Sequence, residues 1–365
     1  MSHLQFALDV HRAVSADPRV PLCWSPFSVA SALGLLTHGA AGETRAQLLG
    51  PLGDLDELTA LLARASRLDD PGYDEQRPVI AVSNTLWVDA RIRVERAFAE
   101  QLAAWPGGSV RNAPFQAEPE KAREAINADV AETTRRLVRE LVPGGAIDSD
   151  TVSVLVNAIY LRCAWRSRFT EGATAPRPFH APGGTVEVPT MQLESMVGYA
   201  ATDGWQVVSL PAAGGVEAVI LLPDADLAGA EPRLTAQSLA TLLAAPRPHD
   251  LLLYLPRIKV STRADLSGAV HALGVREVFT ERADLRPMSP DPLYAQQILH
   301  EAILKLDEQG LEGAAATAIM IGITSFSPPP RPVIVTVDRP FLLLVRQQRT
   351  GAVYFLARVT DPGRS

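Results

Sequence analysis

The chain has 365 residues, 47% of them hydrophobic and 21% charged, and carries a formal net charge of −7 at pH 7. That composition excludes a disordered or low-complexity chain and is rich enough in apolar residues to fill a large core. Without a dense Lys/Arg block or a long apolar run, no nucleic-acid partner, no membrane span and no membrane-surface attachment is expected.

The first twelve helical positions, His3 to Val14, are amphipathic and run into the polar stretch Ser15-Ala16-Asp17-Pro18, unlike an export signal. A cytoplasmic protein is therefore expected. Cys23 and Cys163 both sit in apolar surroundings and read as two buried free thiols rather than a disulfide. Ser25-Pro26 reads as a helix start, with a capping hydroxyl followed by proline in the first turn, and apolar positions recur through Leu36. Further helices fit 43–50, 54–68 and 95–104, with a strand over 79–88. The segment 119–141 keeps a helical period through Ala122, Ile126, Val130, Thr133, Leu137 and Leu141 and stops at Pro143-Gly144-Gly145. Arg135, Arg136 and Arg139 would lie on its solvated face. Strands then fit 151–163, 207–222, 251–260, 298–308, 332–337, 341–347 and 352–359. The segment 151–163 is apolar on both faces, which places it at the centre of a sheet. Helices and strands mix without βαβ alternation, so the class is α+β. No linker divides the chain, and one domain over 1–365 is expected.

The most informative stretch is 305–325. It leaves a strand through Gly310 and Gly313, passes three alanines, and ends in Ile319, Met320, Ile321 and Ile323. Read at period two, Leu311, Gly313, Ala315, Thr317, Ile319, Ile321 and Ile323 share one uncharged face, while Glu312 lies on the other. Alanine and glycine are poor strand formers. The segment suits a loop in one state and a strand with one buried side in another.

Its first half, Glu308-Gln309-Gly310-Leu311-Glu312-Gly313-Ala314-Ala315-Ala316-Thr317, resembles the reactive-loop hinge of the serpins. Three further motifs resemble the same family in the same order. They are Ser25-Pro26-Phe27-Ser28 followed by Gly39-Ala40-Ala41-Gly42-Glu43-Thr44, then Asn157-Ala158-Ile159-Tyr160-Leu161, and then Asp338-Arg339-Pro340-Phe341 with Thr350-Gly351 and the strand after it. The resemblance implies the serpin fold, an α+β architecture of three β-sheets, about nine helices and an exposed reactive loop, here 310–330. It also implies inhibition by a conformational trap. A target serine protease cleaves the loop and becomes a covalent acyl-enzyme. The freed loop then inserts as a strand between 151–163 and 298–308. The chain itself is expected to be no enzyme, to need no cofactor and to act as a monomer.

The chain carries no nucleophile elbow, phosphate loop, dinucleotide fingerprint or His-Glu-x-x-His, as expected of a non-enzyme. The seven histidines show no metal-ligand spacing, so no metal site is expected. The helix at 54–68 carries Asp54, Asp56 and Glu57 against Arg64 and Arg67, unlike the basic helix of heparin-dependent serpins. Two residue sets follow from the resemblance. Ser25, Ser28, Asn157 and His300 match the family's shutter, a buried polar cluster where the sheet opens. Trp165, Arg257 and Glu308 match its breach, where the loop first enters. Thr324 lies fourteen positions beyond Gly310, the distance at which the family is cleaved, so the reactive bond is expected at Thr324-Ser325. Small or β-branched residues there suit elastase-like or subtilisin-like proteases. The long stretch to Pro340 keeps Phe326-Ser327, a chymotrypsin-like site, as the alternative. Leu311 stands where the family has a small hydroxyl residue and Gly313 where it has alanine. Both departures favour slow insertion, and with it a second expectation: a non-inhibitory carrier or structural protein cut as a plain substrate.

Overall fold

The computed structural model describes residues 2–15, 17–69, 77–103, 105–311 and 331–363. The N-terminal part is helical: α1 (His3–Val14), α2 (Pro26–His38), α3 (Gly42–Leu52) and α4 (Leu55–Ala65), with the short strand β1 (Leu22–Trp24) between the first two. The cap of α2 is as expected, since Ser25 Oγ accepts from the Ser28 backbone N–H at 3.0 Å and Pro26 takes the first turn. A helix apolar all round belongs inside a protein, and α2 is buried from Pro26 to Thr37. It packs between the strands described next, and the Phe27 and Tyr354 rings meet at a steep angle with centroids 5.4 Å apart.

Strand β2 (Val79–Asp89), α5 (Arg96–Ala103), β3 (Gly108–Ala113), α6 (Pro119–Thr133) and β4 (Ser153–Ala164) follow. The helix expected over 119–141 ends at Thr133. Its last turn closes by the Arg135 N–H to Glu132 O and the Arg136 N–H to Ala131 O, with Arg135 and Arg136 at φ 50° and 65°. That left-handed stop is usually a glycine, which is why the pattern reads through it. The two arginines therefore lie beyond the helix.

Next come the hairpin β5 (Ala175–Ala181) and β6 (Gly184–Thr202), β7 (Trp205–Pro211), β8 (Val216–Pro223), α7 (Leu227–Ala230), α8 (Ala236–Ala244), β9 (Arg247–Pro256), β10 (Ile258–Asp265) and α9 (Ser267–Ala272). The chain closes with β11 (Ile298–Leu306), β12 (Gly310–Leu311), β13 (Val333–Thr336), β14 (Phe341–Gln347) and β15 (Val353–Val359). Two expected strands prove to be pairs. The strand over 207–222 turns at Gly214 and Gly215, both at positive φ, to give β7 and β8. The strand over 251–260 breaks at Arg257 into β9 and β10.

One sheet runs β10-β11-β12-β4-β2-β3 and the other β1-β15-β14-β8-β7-β6-β9-β13, with β5 on β6. The second divides at β6, which pairs with β9 from Thr190 to Tyr199 and with β7 from Gly198 to Thr202. Counting that division, the strands form three sheets, accompanied by nine α-helices among the described residues. The first sheet separates two cores. A large one holds α2 and the second sheet, and a smaller one lies under α6 around Trp87, Phe115, Ile126, Val130 and Val156. Strand β4 is central, as its two apolar faces require. Cys23 and Cys163 are free and buried, and burial pushes the Cys163 thiol up to about 12.

Candidate functional site

The seam between β4 and β11 gathers most of the candidate residues that the structure describes. At one end the two strands pair directly and in parallel, with Ile298, Leu299, His300 and Glu301 opposite Leu155, Val156, Asn157 and Ala158. At the other end β12 lies between them, antiparallel to both. There Leu311 faces Leu306 on β11 and Cys163 on β4.

The directly paired end carries a ladder of buried polar side chains. His300, Asn157 and Asn84 occupy register-matched positions on β11, β4 and β2. All three are at most 1% exposed. His300 Nδ1 lies 2.7 Å from Asn157 Oδ1, and Asn157 Nδ2 donates to Asn84 Oδ1 at 2.5 Å and to Ser28 O at 2.9 Å. The Ser25 backbone N–H donates to His300 Nε2 at 3.1 Å. A ring nitrogen that accepts a backbone N–H leaves the other to carry the proton, so His300 is the neutral Nδ1–H tautomer, donating to Asn157. Burial holds its pKa down at about 3, consistent with that form.

The structure thus brings Ser25, Ser28, Asn157 and His300 together, with one difference from the expectation. The serines join through main-chain groups, the Ser25 N–H and the Ser28 carbonyl. Ser25 Oγ is spent on the helix cap, and Ser28 Oγ is buried without a hydrogen-bond partner. Sequence reasoning missed Asn84 and the groups behind it. Asn84 Nδ2 donates to Ser31 Oγ at 2.8 Å and Pro106 O at 3.1 Å, and the Trp105 indole N–H donates to Ser31 Oγ at 2.9 Å.

At the other end Trp165, Arg257 and Glu308 are also neighbours. The Trp165 indole donates to Asp307 O at 2.8 Å, and its backbone N–H to Gln309 O at 3.1 Å. Arg257 grips Glu308 with two nitrogens, Nη2 to Oε1 at 2.7 Å and Nε to Oε2 at 3.0 Å. The Thr174 hydroxyl, which the sequence reading missed, donates to the same carboxylate. Burial would raise the Glu308 carboxyl, but the Arg257 and Thr174 bonds outweigh it and hold it below the usual range. The Arg257 side chain stays 52% exposed, so solvent screens the pair and its stabilising effect is small. Beside it opens a cleft of about 790 Å³ lined by Glu171, Gly172, Thr174, Arg257, Asp307 and Glu308.

The turn into β12 is built by Asp307, whose Oδ1 accepts from the Gln309 N–H at 2.9 Å and the Gly310 N–H at 3.3 Å. Gly310 is required by close approach, since a Cβ there would stand 2.2 Å from the Cys163 carbonyl oxygen. Leu311 is 1% exposed in the large core. The remaining hinge positions, Glu312, Gly313, Ala314, Ala315, Ala316 and Thr317, lie outside the described residues, as do Thr324, Ser325, Phe326 and Ser327. Among the described residues no helix is long and apolar enough to cross a membrane.

Comparisons with known proteins agree over almost the whole length. A family model described as serpin (serine protease inhibitor) matches residues 1–362. The chain is 31% identical over 377 residues to the leukocyte elastase inhibitor of Sus scrofa, covering 99% of this chain and 98% of that one. It is 30% identical over 365 residues to Iripin-2 of Ixodes ricinus, covering 97% and 91%. With Serpin-Z2B of Triticum aestivum the identity is 31% over 389 residues, covering 98% and 95%. Two solved structures share the fold at low identity. Thyroxine-binding globulin in complex with thyroxine has a TM-score of 0.86 at 21% identity, covering 99% and 98%. Uncleaved ovalbumin has a TM-score of 0.84 at 22%, covering 98% of each chain. The chain belongs to the serpin family and has the serpin fold.

Proposed function

We propose that the chain, acting as one domain over 1–365 and as a cytoplasmic monomer without cofactor or metal, inhibits a serine protease as a suicide substrate. The protease serine attacks the carbonyl of the reactive bond in the loop 310–330 and forms an acyl-enzyme. The freed segment then inserts between β4 and β11. The observation that carries this reading is β12, the beginning of a strand between two strands that otherwise pair with each other. Its register extends directly. Six residues beyond Leu311 is Thr317, and six residues back along the facing strands are His300 and Asn157. A growing strand would thus pass Thr317 between His300 and Asn157 and part them. In such a strand period-two alternation would put Gly313, Ala315, Thr317, Ile319, Ile321 and Ile323 on the face of Leu311, with no charge to desolvate.

In this reading Arg257, Glu308 and Trp165 form the breach, and Ser25, Ser28, Asn157 and His300 form the shutter. Glu308 to Thr317 is the hinge, and Thr324-Ser325 is the reactive bond of an elastase-like or subtilisin-like target, with Phe326-Ser327 as the alternative. The test is to mix the protein with subtilisin or with elastase. An SDS-stable complex and a released fragment beginning at Ser325 are expected, and a fragment beginning at Ser327 moves the bond to Phe326. Complete cleavage without any stable complex would sink the inhibitory reading. That outcome favours a non-inhibitory carrier or structural protein, for which Leu311 speaks: its side chain is already buried and contributes no further burial on insertion.

A further inference from the structure

The polar ladder does not stop at the residues the family resemblance picks out. Its hydrogen-bond polarity is fixed by three main-chain groups that can act in only one sense. Pro106 O and Ser28 O only accept, and the Ser25 N–H only donates. Pro106 O turns the Asn84 amide so that Nδ2 faces it and Oδ1 faces Asn157. Ser28 O and Asn84 Oδ1 together take both protons of Asn157 Nδ2, which aims Asn157 Oδ1 at His300. Behind Asn84, Ser31 Oγ accepts from Asn84 at 2.8 Å and from the Trp105 indole at 2.9 Å. The Trp105 ring is seated on Gly34 of α2, where a Cβ would come within 2.6 Å of it. Asn84 and Ser31 are fully buried and Trp105 is 6% exposed.

The two sides of Asn157 are therefore unequal. Toward β11 its side chain has a single bond, to His300. Toward β2 and α2 it is held by Ser28 and by the Asn84–Ser31–Trp105 relay. We propose that Asn84, backed by Ser31 and Trp105, is a positioning residue that holds Asn157 and β4 on α2, so that when the paired strands part Asn157 stays with β4 and α2 and its side chain gives up only the His300 contact. The proposal rests on the insertion reading for its role in opening, but not for its geometry. When the seam opens, Asn157 Nδ2 keeps both acceptors; besides the main-chain groups that pair β11 with β4, the His300 N–H and Asn157 Oδ1 must find new partners, as must the Ser25 N–H if His300 leaves with β11. An unpaired buried amide adds to the cost of such an opening, and the relay keeps Asn157 Nδ2 out of that cost.

The test compares Asn84→Leu with Leu33→Ala, a core variant in α2 that leaves every ladder group in place. Ser31→Ala serves as a milder cut through the same relay should Asn84→Leu fail to fold. The first readout is the His300 Nδ1–H resonance in protein labelled with ¹⁵N-histidine, assigned by its loss in His300→Gln. The second is uptake of a synthetic peptide with the sequence of residues 311–323. Asn84→Leu removes the three bonds of the Asn84 amide, one of them its hold on Asn157, and is expected to speed solvent exchange of that proton roughly tenfold, with a smaller gain in Ser31→Ala. Peptide uptake should accelerate in step, and Leu33→Ala should change neither once matched for global stability in urea. If the relay variants exchange no faster than Leu33→Ala, Asn84 is a core polar residue and the proposal falls. If the wild type takes up no peptide, the insertion reading fails, and the resonance still decides for or against Asn84.

Discussion

The two ends of the β4–β11 seam solve opposite problems. At the β12 end the strands are already apart, and the side chains that guard the opening are an ion pair, half of which is open to solvent. At the His300 end the strands pair directly, and the groups between them are neutral, fully buried and mutually hydrogen-bonded. A screened ion pair contributes little to stability, whereas a buried network is costly to leave half satisfied. On those energetic grounds the ladder side chains resist separation of the paired strands more than the exposed ion pair does.

The strongest way to break this contrast is to stop the strand before it reaches the ladder. In the proposed inserted strand Gly313 would share the face of Leu311 by alternation, and Gly313→Arg would bury an unpaired guanidinium at a cost on the order of 5 kcal/mol. The variant should fold normally, be cleaved at the parental rate and form almost no SDS-stable complex; complex at parental stoichiometry would place position 313 outside the sheet. Next in size is His300→Ala. It removes two buried hydrogen bonds and leaves the Ser25 N–H and Asn157 Oδ1 unpaired, so urea unfolding should show a loss of about 2–4 kcal/mol. A loss under about 0.5 kcal/mol would mean that the ladder is not where the seam is held.

The same histidine gives the ladder a pH signature. Burial lowers the folded-state pKa of His300 to about 3 and of His3 to about 4, and lowers that of His11 as well, from 6.5. Between these values and 6.5 the unfolded chain binds protons at these histidines that the folded chain does not, so their contribution to stability is full above about pH 6.5 and is lost as the pH falls toward 3. Each such histidine contributes up to about 1.4 kcal/mol per pH unit in that window. His300→Gln should flatten the slope by one histidine's share, and an unchanged slope would show that His300 titrates normally in the fold. The smallest effect is expected at the open end. Arg257→Ala should cost no more than about 1 kcal/mol, because the guanidinium is screened by solvent. A larger loss, measured in urea, would erase the difference between the two ends.

How much of this was legible follows from how local each cause is. The start of α2 was readable because Ser25-Pro26 acts within one turn. Strand β4 was readable because its apolar run needs no partner to be recognised. The end of α6 was not, since Arg135 and Arg136 adopt a left-handed stop that sequence rules assign to glycine. The β5–β6 hairpin was missed because its residues are half exposed and interrupted by Pro176, Pro178 and Pro189, which blurs alternation. In the site, Asn157 and His300 were found through the motifs around them. Asn84 had a weaker signal, the polar triplet Ser83-Asn84-Thr85 in an otherwise apolar strand. That Asn84 stands opposite Asn157 is a matter of register between distant segments, and Trp105 reaches Ser31 only because Gly34 leaves room. Neither fact is written in any one stretch of the chain.

The most direct measurement is the thermal midpoint of the protein before and after a single cut between Ile323 and Phe326. A backbone cut ordinarily loosens a fold. Under the proposed insertion it should raise the midpoint sharply, because the freed segment would continue β12 and complete the sheet between β4 and β11. A midpoint that stays the same or falls after cleavage would show that no strand inserts and would contradict the account.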